Sequence, residues 1–157
     1  EVRYSLADRH IEDDLLPTAR ELGVGIVAFG VLLSGLIGGS SQEEKLKSIG
    51  QRISPEALAT MKANLVRTDA LKQIAVEKGA TLAQLAIAWV LAQGEDIIAL
   101  VGSRTASQIK DTIQALNVKL TKEDLDRIDR IMPKEEATSS YMLDVDIDSK
   151  GLFHAKQ

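Results

Sequence analysis

The sequence has 157 residues, 45% of them hydrophobic but only 3% aromatic, which is enough for one domain with an aliphatic core. Its formal net charge of −4 lacks the basic excess of a nucleic-acid binder, and no apolar run approaches the ~18 residues needed to span a bilayer. The absence of Cys excludes a disulfide framework, and His10 and His154 lie too far apart for a ligand-like spacing, so we predict no metal site. From the charge and the lack of an apolar span, we expect a cytoplasmic protein that uses neither nucleic acid nor membrane as a partner.

The first predicted elements are a short strand, a helix and a buried strand. Residues 2–6 alternate apolar and polar side chains, as half-buried strands do. Residues 11–22 place apolar side chains at helical spacing and are followed by Gly23, a common helix stop. Pro17 then belongs in the first turn of that helix, where its missing N–H has no internal partner. Residues 24–29 form an apolar run typical of a buried strand.

A long loop and a long helix follow. Residues 33–54 begin with Gly35, Gly38 and Gly39 and continue with a polar run, which predicts a loop with a helical turn near residues 43–49. Loops of this length in compact domains are usually functional or mobile. Residues 55–78 read as a helix that begins with a Ser-Pro pair, with a possible break at residues 64–68.

The last part of the pattern contains a strand between capped helices. Thr81 and Gln84 form a capping-box pattern before a helix to residue 93 that is apolar on nearly every side and must therefore be buried. Residues 97–101 are a third apolar strand, and Thr105 with Gln108 caps the next helix. Its predicted inner face consists of three apolar residues: Ile109, Ile113 and Leu116.

A final helix over residues 121–132 stops at Pro133, and the polar tail of residues 134–157 has no clear pattern. Buried strands that alternate with helices predict parallel α/β units. We therefore expect a domain over residues 1–133, followed by the tail.

The third strand leads directly into Gly102, Ser103 and Arg104, and then into the capped helix. Free backbone N–H groups at a helix start, a hydroxyl and a guanidinium are features that bind phosphate. The alternative is an ordinary turn with a solvated Arg. Phe29 and Gly30 end the second strand in a similar way, and Phe29 either faces a ligand pocket or belongs to the core.

Three sequence blocks resemble the carboxy-terminal part of the aldo-keto reductase family, in family order. They are YSLADRHIEDDLLPTARELGVGIVAF, ALKQIAVEKGATLAQLAIAWVLAQ and IIALVGSRTASQIKDTIQALNVKLTKEDLDRID. The resemblance runs from residue 1 to about residue 133 and corresponds to the sixth strand through the terminal helix of a (β/α)8 barrel. It implies a partial barrel with about three parallel strands and an NADPH half-site.

The resemblance implies that the cofactor-binding residues are Phe29, Gly30, Leu32, Ser34, Gly102, Ser103, Arg104, Gln108, Asp111 and Thr112. Phe29 matches an aromatic residue that stacks on the nicotinamide, and the residues after it match those near the pyrophosphate. A mobile segment, here residues 35–41, would cover the dinucleotide. Ser103 and Arg104 match the residues that hold the adenosine 2′-phosphate. Gln108, Asp111 and Thr112 match positions near the adenosine.

The sequence departs from the family pattern at four of the positions near the cofactor. Gly30 and Val31 replace the Ser and Pro of a Ser-Pro-Leu motif, Glu1 replaces a Gln, and Thr112 replaces an Asn. A lost neutral hydrogen bond costs about 0.5–1.5 kcal/mol. We therefore expect weaker binding of the dinucleotide.

In this family the catalytic Tyr, Lys, Asp and His come from the first four strands, and Tyr4 and Tyr141 do not match that Tyr. The resemblance thus implies an NADP(H)-dependent oxidoreductase with weak or no reduction of a small carbonyl substrate by itself. A nucleotide-binding module without turnover, or a structural module derived from a reductase, is the alternative. About three of eight strands leave a sheet open. A fragment, a complementary barrel half and a homo-oligomer are all possible arrangements, and we expect self-association or repacking.

Overall fold

The protein is described by a computed structural model that covers residues 1–37, 44, 46–47, 50–51, 53–137, 145–147 and 153–155. Its strands are β1 (Val2–Arg3), β2 (Ile26–Phe29), β3 (Ile97–Ala99), β4 (Val145–Ile147) and β5 (Phe153–Ala155). Its helices are α1 (Leu15–Glu21), α2 (Pro55–Ala70), α3 (Lys72–Glu77), α4 (Leu82–Ala92), α5 (Ala106–Ile113) and α6 (Lys122–Ile131). Short 3-10 turns lie at His10–Glu12, Leu33–Gly35, Gln114–Asn117 and Lys134–Glu136.

The first three strands form one parallel sheet in the order β1-β2-β3. Val2 pairs with Ala28, and Ile26 pairs with Ile97. Parallel neighbours need a crossover connection. Here α1 lies in the connection between β1 and β2, and α2, α3 and α4 lie in the connection between β2 and β3. The predicted parallel α/β arrangement is confirmed.

The two faces of this sheet have different surroundings, because side chains alternate along each strand. Ile26, Ala28 and Ile97 are buried in the core that also contains Trp89 of α4. The register places the other set of side chains on the opposite face: Arg3, Val27, Phe29, Ile98 and Leu100. Ile98 is 65% exposed, whereas its neighbour Ile97 is 4% exposed. We call this second set the open face.

The first strand and helix are shorter than predicted. β1 ends at Arg3 because Ser5 and Asp8 exchange two backbone hydrogen bonds of 3.0 and 3.1 Å, which closes a tight turn. The helix predicted over residues 11–22 consists of the turn His10–Glu12 followed by α1. Pro17 lies in the first turn of α1, as predicted.

The long helix predicted over residues 55–78 begins as expected, since Ser54 Oγ accepts a hydrogen bond from Ala57 N at 3.2 Å. Its break, however, lies at Leu71 and not at residues 64–68. The buried Thr68 hydroxyl donates to Leu65 O at 2.8 Å, and such bonding to a preceding carbonyl bends helices. Leu71 N then bonds to Thr68 O, and α3 starts after it.

The predicted burial of α4 is confirmed, because every residue from Gln84 to Val90 is buried. The predicted capping box is present as well: Thr81 and Gln84 exchange hydrogen bonds of 2.9 and 3.2 Å. The ring of Trp89 is fully buried and lies 5.5 Å from the ring of Tyr4. This contact joins α4 to the residue that follows β1.

The predicted inner face of α5 is wrong. Ile109, Ile113 and Leu116 are at least half exposed, and the buried residue of this region is Ala115. The apolar periodicity correctly indicates a helix with one apolar side. Within the described part of the chain, no element covers that side enough to bury it.

The helix near the end begins and stops as predicted, with Thr121 as the cap of α6 and Pro133 beyond it. Packing continues past Pro133, since Ala137 is buried and its carbonyl accepts a hydrogen bond from Arg9 N at 3.2 Å. The tail contains a short hairpin-like pair of strands, because β4 and β5 pair in antiparallel fashion. Within the described ranges, no single helix is long and apolar enough to cross a membrane. One pair of segments in those ranges, Pro55–Glu77 and Leu82–Ala92, has that length and apolarity when taken together, but the two are bent by 88° relative to each other.

Candidate functional site

The two predicted ligand-binding segments lie at one edge of the sheet. Phe29 ends β2, and residues 102–104 follow β3 closely. The strands are hydrogen-bonded neighbours, and Leu100 N extends the pairing by donating to Ala28 O at 2.8 Å. Parallel α/β domains bind ligands at the carboxyl ends of their strands. The fold therefore brings an aromatic ring and a Gly-Ser-Arg segment to that edge.

Phe29 is half-buried on the open face, so it is not a core residue. The guanidinium carbon of Arg3, its register partner on β1, lies 5.1 Å from the centre of the Phe29 ring. Arg3 also forms an ion pair with the fully buried Asp8 at 3.7 Å. The Phe29 ring thus has a cation beside it that was not predicted from the sequence.

The turn after β2 is compact. Gly30 has φ = 74°, and Leu33 N donates to Gly30 O at 2.9 Å. Leu33 itself has φ = 49°, which is uncommon for a bulky residue and marks local strain. Gly35 N donates to Leu32 O at 2.9 Å. Val31, which stands at the Pro position of the family motif, is buried and packs in the core.

The candidate covering segment is described only in part. The backbone of Ser34 lies in the 3-10 turn Leu33–Gly35, and Leu36 and Ile37 after it are buried. The rest of the predicted segment, residues 38–41, lies outside the described residues. Its role stays a prediction.

The Gly-Ser-Arg segment leads into a capped helix, as predicted. Gln108 Oε1 accepts from Arg104 N at 2.7 Å and from Thr105 N at 3.2 Å, and Gln108 N donates to Thr105 Oγ1. The expectation of free backbone N–H groups is therefore wrong for Arg104 and Thr105, because the capping box satisfies both. An anion at this segment can therefore contact the exposed Arg104 side chain and the partly exposed Ser103.

The two remaining candidates lie on α5. Asp111 is exposed, but its carboxylate accepts a hydrogen bond from Gln84 Nε2 at 2.7 Å, and Gln84 Nε2 also donates to Asp111 O at 3.1 Å. Gln84 Oε1 meanwhile accepts from Thr81 N. One buried amide thus caps α4 and holds Asp111. Thr112, the next residue, is half-buried.

Sequence reasoning identified neither Arg3 nor Gln84 as part of this site. A charged residue in a predicted strand was a usable signal for Arg3, since strand pairing at this edge places it beside Phe29. Gln84 was found only as a capping residue. Its bond to Asp111 depends on how α4 and α5 pack, which no local pattern reveals.

Tyr4 has a structural environment. It is fully buried, its hydroxyl donates to Glu12 Oε1 at 2.8 Å, and burial together with this bond raises the pKa of Tyr4 well above its usual value. Arg9 binds the same carboxylate at 2.8 Å. His10 Nδ1 contacts the carboxylate of Asp8. Among the described residues, no group of three or more His, Cys, Asp or Glu is placed to hold a metal ion.

A family profile and two related sequences all place this chain in the same family. The sequence profile of the Aldo/keto reductase family matches residues 1–133. The chain is 36% identical over 138 residues to probable aldo-keto reductase 1 of Glycine max, which covers 85% of this chain and 39% of that protein. It is 34% identical over 131 residues to the uncharacterized oxidoreductase YrpG of Bacillus subtilis (strain 168), a match that covers 83% of this chain and 39% of that protein.

Among solved structures, an aldo-keto reductase from Klebsiella pneumoniae in complex with NADPH superposes with a TM-score of 0.59 at 24% identity. The match covers 84% of this chain and 38% of that structure. It supports the fold: the three-stranded sheet and its helices correspond to part of a TIM-type barrel. The chain spans about two fifths of the length of the relatives it matches.

Proposed function

Because this chain belongs to the aldo/keto reductase family, we propose that it binds NADP(H) at the edge where β2 and β3 end, as the nucleotide half of an oxidoreductase site. The observation that carries the proposal is the adjacency of Phe29 and the Gly-Ser-Arg segment on paired strands. A ring-binding group and a phosphate-binding group then share one edge.

The residues at the edge fit a dinucleotide phosphate. A hydroxyl and a guanidinium, from Ser103 and Arg104, are donors that suit a phosphate ester. A Cβ added at Gly102 would meet no described atom within 4 Å, so there is open space beside the backbone. Arg104 would bind the 2′-phosphate, and Ser103 would donate a hydrogen bond to it. Asp111, held by Gln84, would lie on the adenosine side with Gln108 and Thr112.

At the other end, Phe29 would hold the nicotinamide ring, and the backbone of Gly30, Leu32 and Ser34 would approach the pyrophosphate. The bound cofactor supplies a hydride for a carbonyl substrate. The chain's own residues would hold its ring and its phosphates.

We further propose that carbonyl reduction by this chain alone is slow or absent. The support is the environment of Tyr4, whose buried hydroxyl is bonded to Glu12 and has a raised pKa, so it is a poor proton donor to a ligand. General acid catalysis typically contributes about 10²–10⁴-fold. Oxidation of NADPH by a generic aldehyde is therefore expected to be slow, and equally slow in Tyr4→Phe. A turnover that is fast in the parent chain and lost in Tyr4→Phe would contradict this.

The binding proposal is tested by titrating the full chain with NADPH and NADH, following protein fluorescence or heat. Arg104→Ala should weaken NADPH binding about tenfold or more, since hydrogen bonds to charged groups contribute about 1.5–3 kcal/mol each. Its affinity for NADH should hardly change. Arg130→Ala, an exposed Arg on α6, is the matched control and should change neither affinity. Equal loss for both dinucleotides in Arg104→Ala, or equal affinities in the parent chain, would refute the 2′-phosphate assignment.

A further inference from the structure

The side-chain amide of Gln84 joins the start of α4 to the middle of α5. Its Oε1 accepts a hydrogen bond from Thr81 N at 2.9 Å. Its Nε2 donates to Asp111 Oδ1 at 2.7 Å and to Asp111 O at 3.1 Å. Gln84 is 8% exposed, so its position is set by the side chains around it.

The orientation of this amide is fixed by its partners. The backbone N–H of Thr81 can only donate and needs an oxygen opposite it, whereas the two oxygens of Asp111 need the NH2 group. A flipped amide would place Nε2 against Thr81 N and Oε1 against both oxygens of Asp111, which would break all three hydrogen bonds. Gln84 therefore presents a donor to residue 111.

This donor determines which atom of residue 111 a ligand can reach. Oδ1 of Asp111 is bonded to Gln84, while the residue as a whole is exposed on α5. A ligand beside α5 thus reaches the carboxylate through Oδ2, which is an acceptor. The capping box of α4 and the acceptor on α5 are linked by one side chain.

We propose that Gln84 is a positioning residue that makes the nucleotide half-site select adenine over a base with an oxygen at the same ring position. The inference rests on the proposed function, in which Asp111 lies on the adenosine side. The 6-amino group of adenine donates a hydrogen bond, whereas the 6-oxo group of hypoxanthine accepts one. An acceptor held in place on α5 therefore favours adenine, and Gln84 holds it there.

A single substitution at residue 111 should invert this preference. Because Nε2 of Gln84 needs an oxygen opposite it, the new amide of Asp111→Asn must turn its own oxygen toward Gln84 and its NH2 group toward the base. The group that faces the base is then a donor. Asp111→Asn should therefore favour hypoxanthine over adenine.

The test compares NADPH with its analogue in which hypoxanthine replaces adenine, each titrated separately against the full chain. The parent should bind NADPH about three- to tenfold more tightly than the analogue, the range expected for one hydrogen bond. Gln84→Met, which cannot donate, should bring the two affinities within about twofold of each other. Asp111→Asn should bind the analogue more tightly, and adding Gln84→Met should abolish that inversion, since the new amide can then rotate.

Thr81→Ala is the matched control for the capping role of Gln84. It removes the Thr81 Oγ1 that accepts from Gln84 N at 3.2 Å, but it keeps Thr81 N as the donor to Gln84 Oε1. The variant should unfold at a lower urea concentration and keep the base preference of the parent. A loss of preference equal to that of Gln84→Met would make the start of α4 the cause and would overturn the inference.

Two other results would also overturn it: a parent that binds NADPH and the analogue equally, or a Gln84→Met protein that keeps the parent's preference. In either case, a preference for NADPH over NADH that depends on Arg104 would leave the proposed function intact. A parent that binds no dinucleotide would overturn the proposed function, and the inference with it. Asp111→Asn changes an exposed side chain, so the inversion can be measured even if Gln84→Met fails to fold.

Discussion

Replacement of Arg9 by Met is expected to destabilise the protein more than any other single charge removal outside the proposed site. Arg9 is buried, with its guanidinium 5.0 Å from the centre of the Trp89 ring. It donates to Glu12 at 2.8 and 3.2 Å and to Asp129 at 2.7 Å. Through these bonds the residues after β1 are joined to α6.

The magnitude follows from what is left behind. Removing one partner of a buried ion pair costs about 3–5 kcal/mol, mostly because the remaining charge has no partner. Here Asp129 is 49% exposed and can be hydrated, and Glu12 keeps its hydrogen bond from Tyr4. The cost of Arg9→Met should therefore lie near the lower limit, about 3 kcal/mol. Arg20→Met, which breaks a partly exposed pair with Asp96, should cost less than about 1 kcal/mol.

The assay is urea unfolding of both variants, followed by far-ultraviolet circular dichroism with linear extrapolation to water. Circular dichroism is preferable to Trp89 fluorescence, because Arg9 contacts that ring and its loss changes the signal directly. Adding Glu12→Gln to Arg9→Met removes the carboxylate that has lost its Arg9 partner and should recover part of the loss. A cost of Arg9→Met no greater than that of Arg20→Met, or no recovery in the double variant, would refute this account.

The remaining predictions concern pH and association. Burial alone would raise the pKa of Asp124, but hydrogen bonds from Lys78 and Thr121 lower this pKa to about 2. The contribution of the ionised Asp124 to stability is therefore complete above pH about 4 and is lost as the pH falls through about 2. Asp124→Asn should therefore destabilise the protein at neutral pH and flatten acid unfolding in that window; an unchanged acid profile would argue against it. Ile98→Lys on the open face should reduce self-association as measured by light scattering. The control Leu22→Lys, at an exposed position beyond α1, should leave self-association unchanged. Equal effects of the two variants would exclude the open face as the surface that associates.

The parts of the fold that could be predicted from the sequence are those with local causes. The capping boxes of α4 and α5 were read from Thr81 with Gln84 and from Thr105 with Gln108, because three-residue spacing is all that the motif needs. The parallel strands followed from short apolar runs between helices. The burial of α4 followed from apolar residues on nearly every side.

The parts that could not be predicted depend on which elements meet. The apolar side of α5 was expected to be buried, yet Ile109 and Ile113 are about half exposed, since periodicity gives the direction of a face and not what covers it. The break at Leu71 follows from a hydroxyl bond of the buried Thr68, which only the packed helix shows. Likewise, the contact of Arg3 with Phe29 depends on strand register. The assignment of Phe29 to a dinucleotide site stays a prediction.

The three Thr caps at residues 81, 105 and 121 have a consequence for how the chain folds. Each is followed three residues later by Gln or Asp, and both reciprocal bonds form every time. The first turn of a helix is the slow, unfavourable part of its formation. Because each of these turns is specified within four residues, α4, α5 and α6 have start points that need no distant contacts. A segment that carries such a capping box therefore specifies where its own helix starts, whatever packs against that helix later.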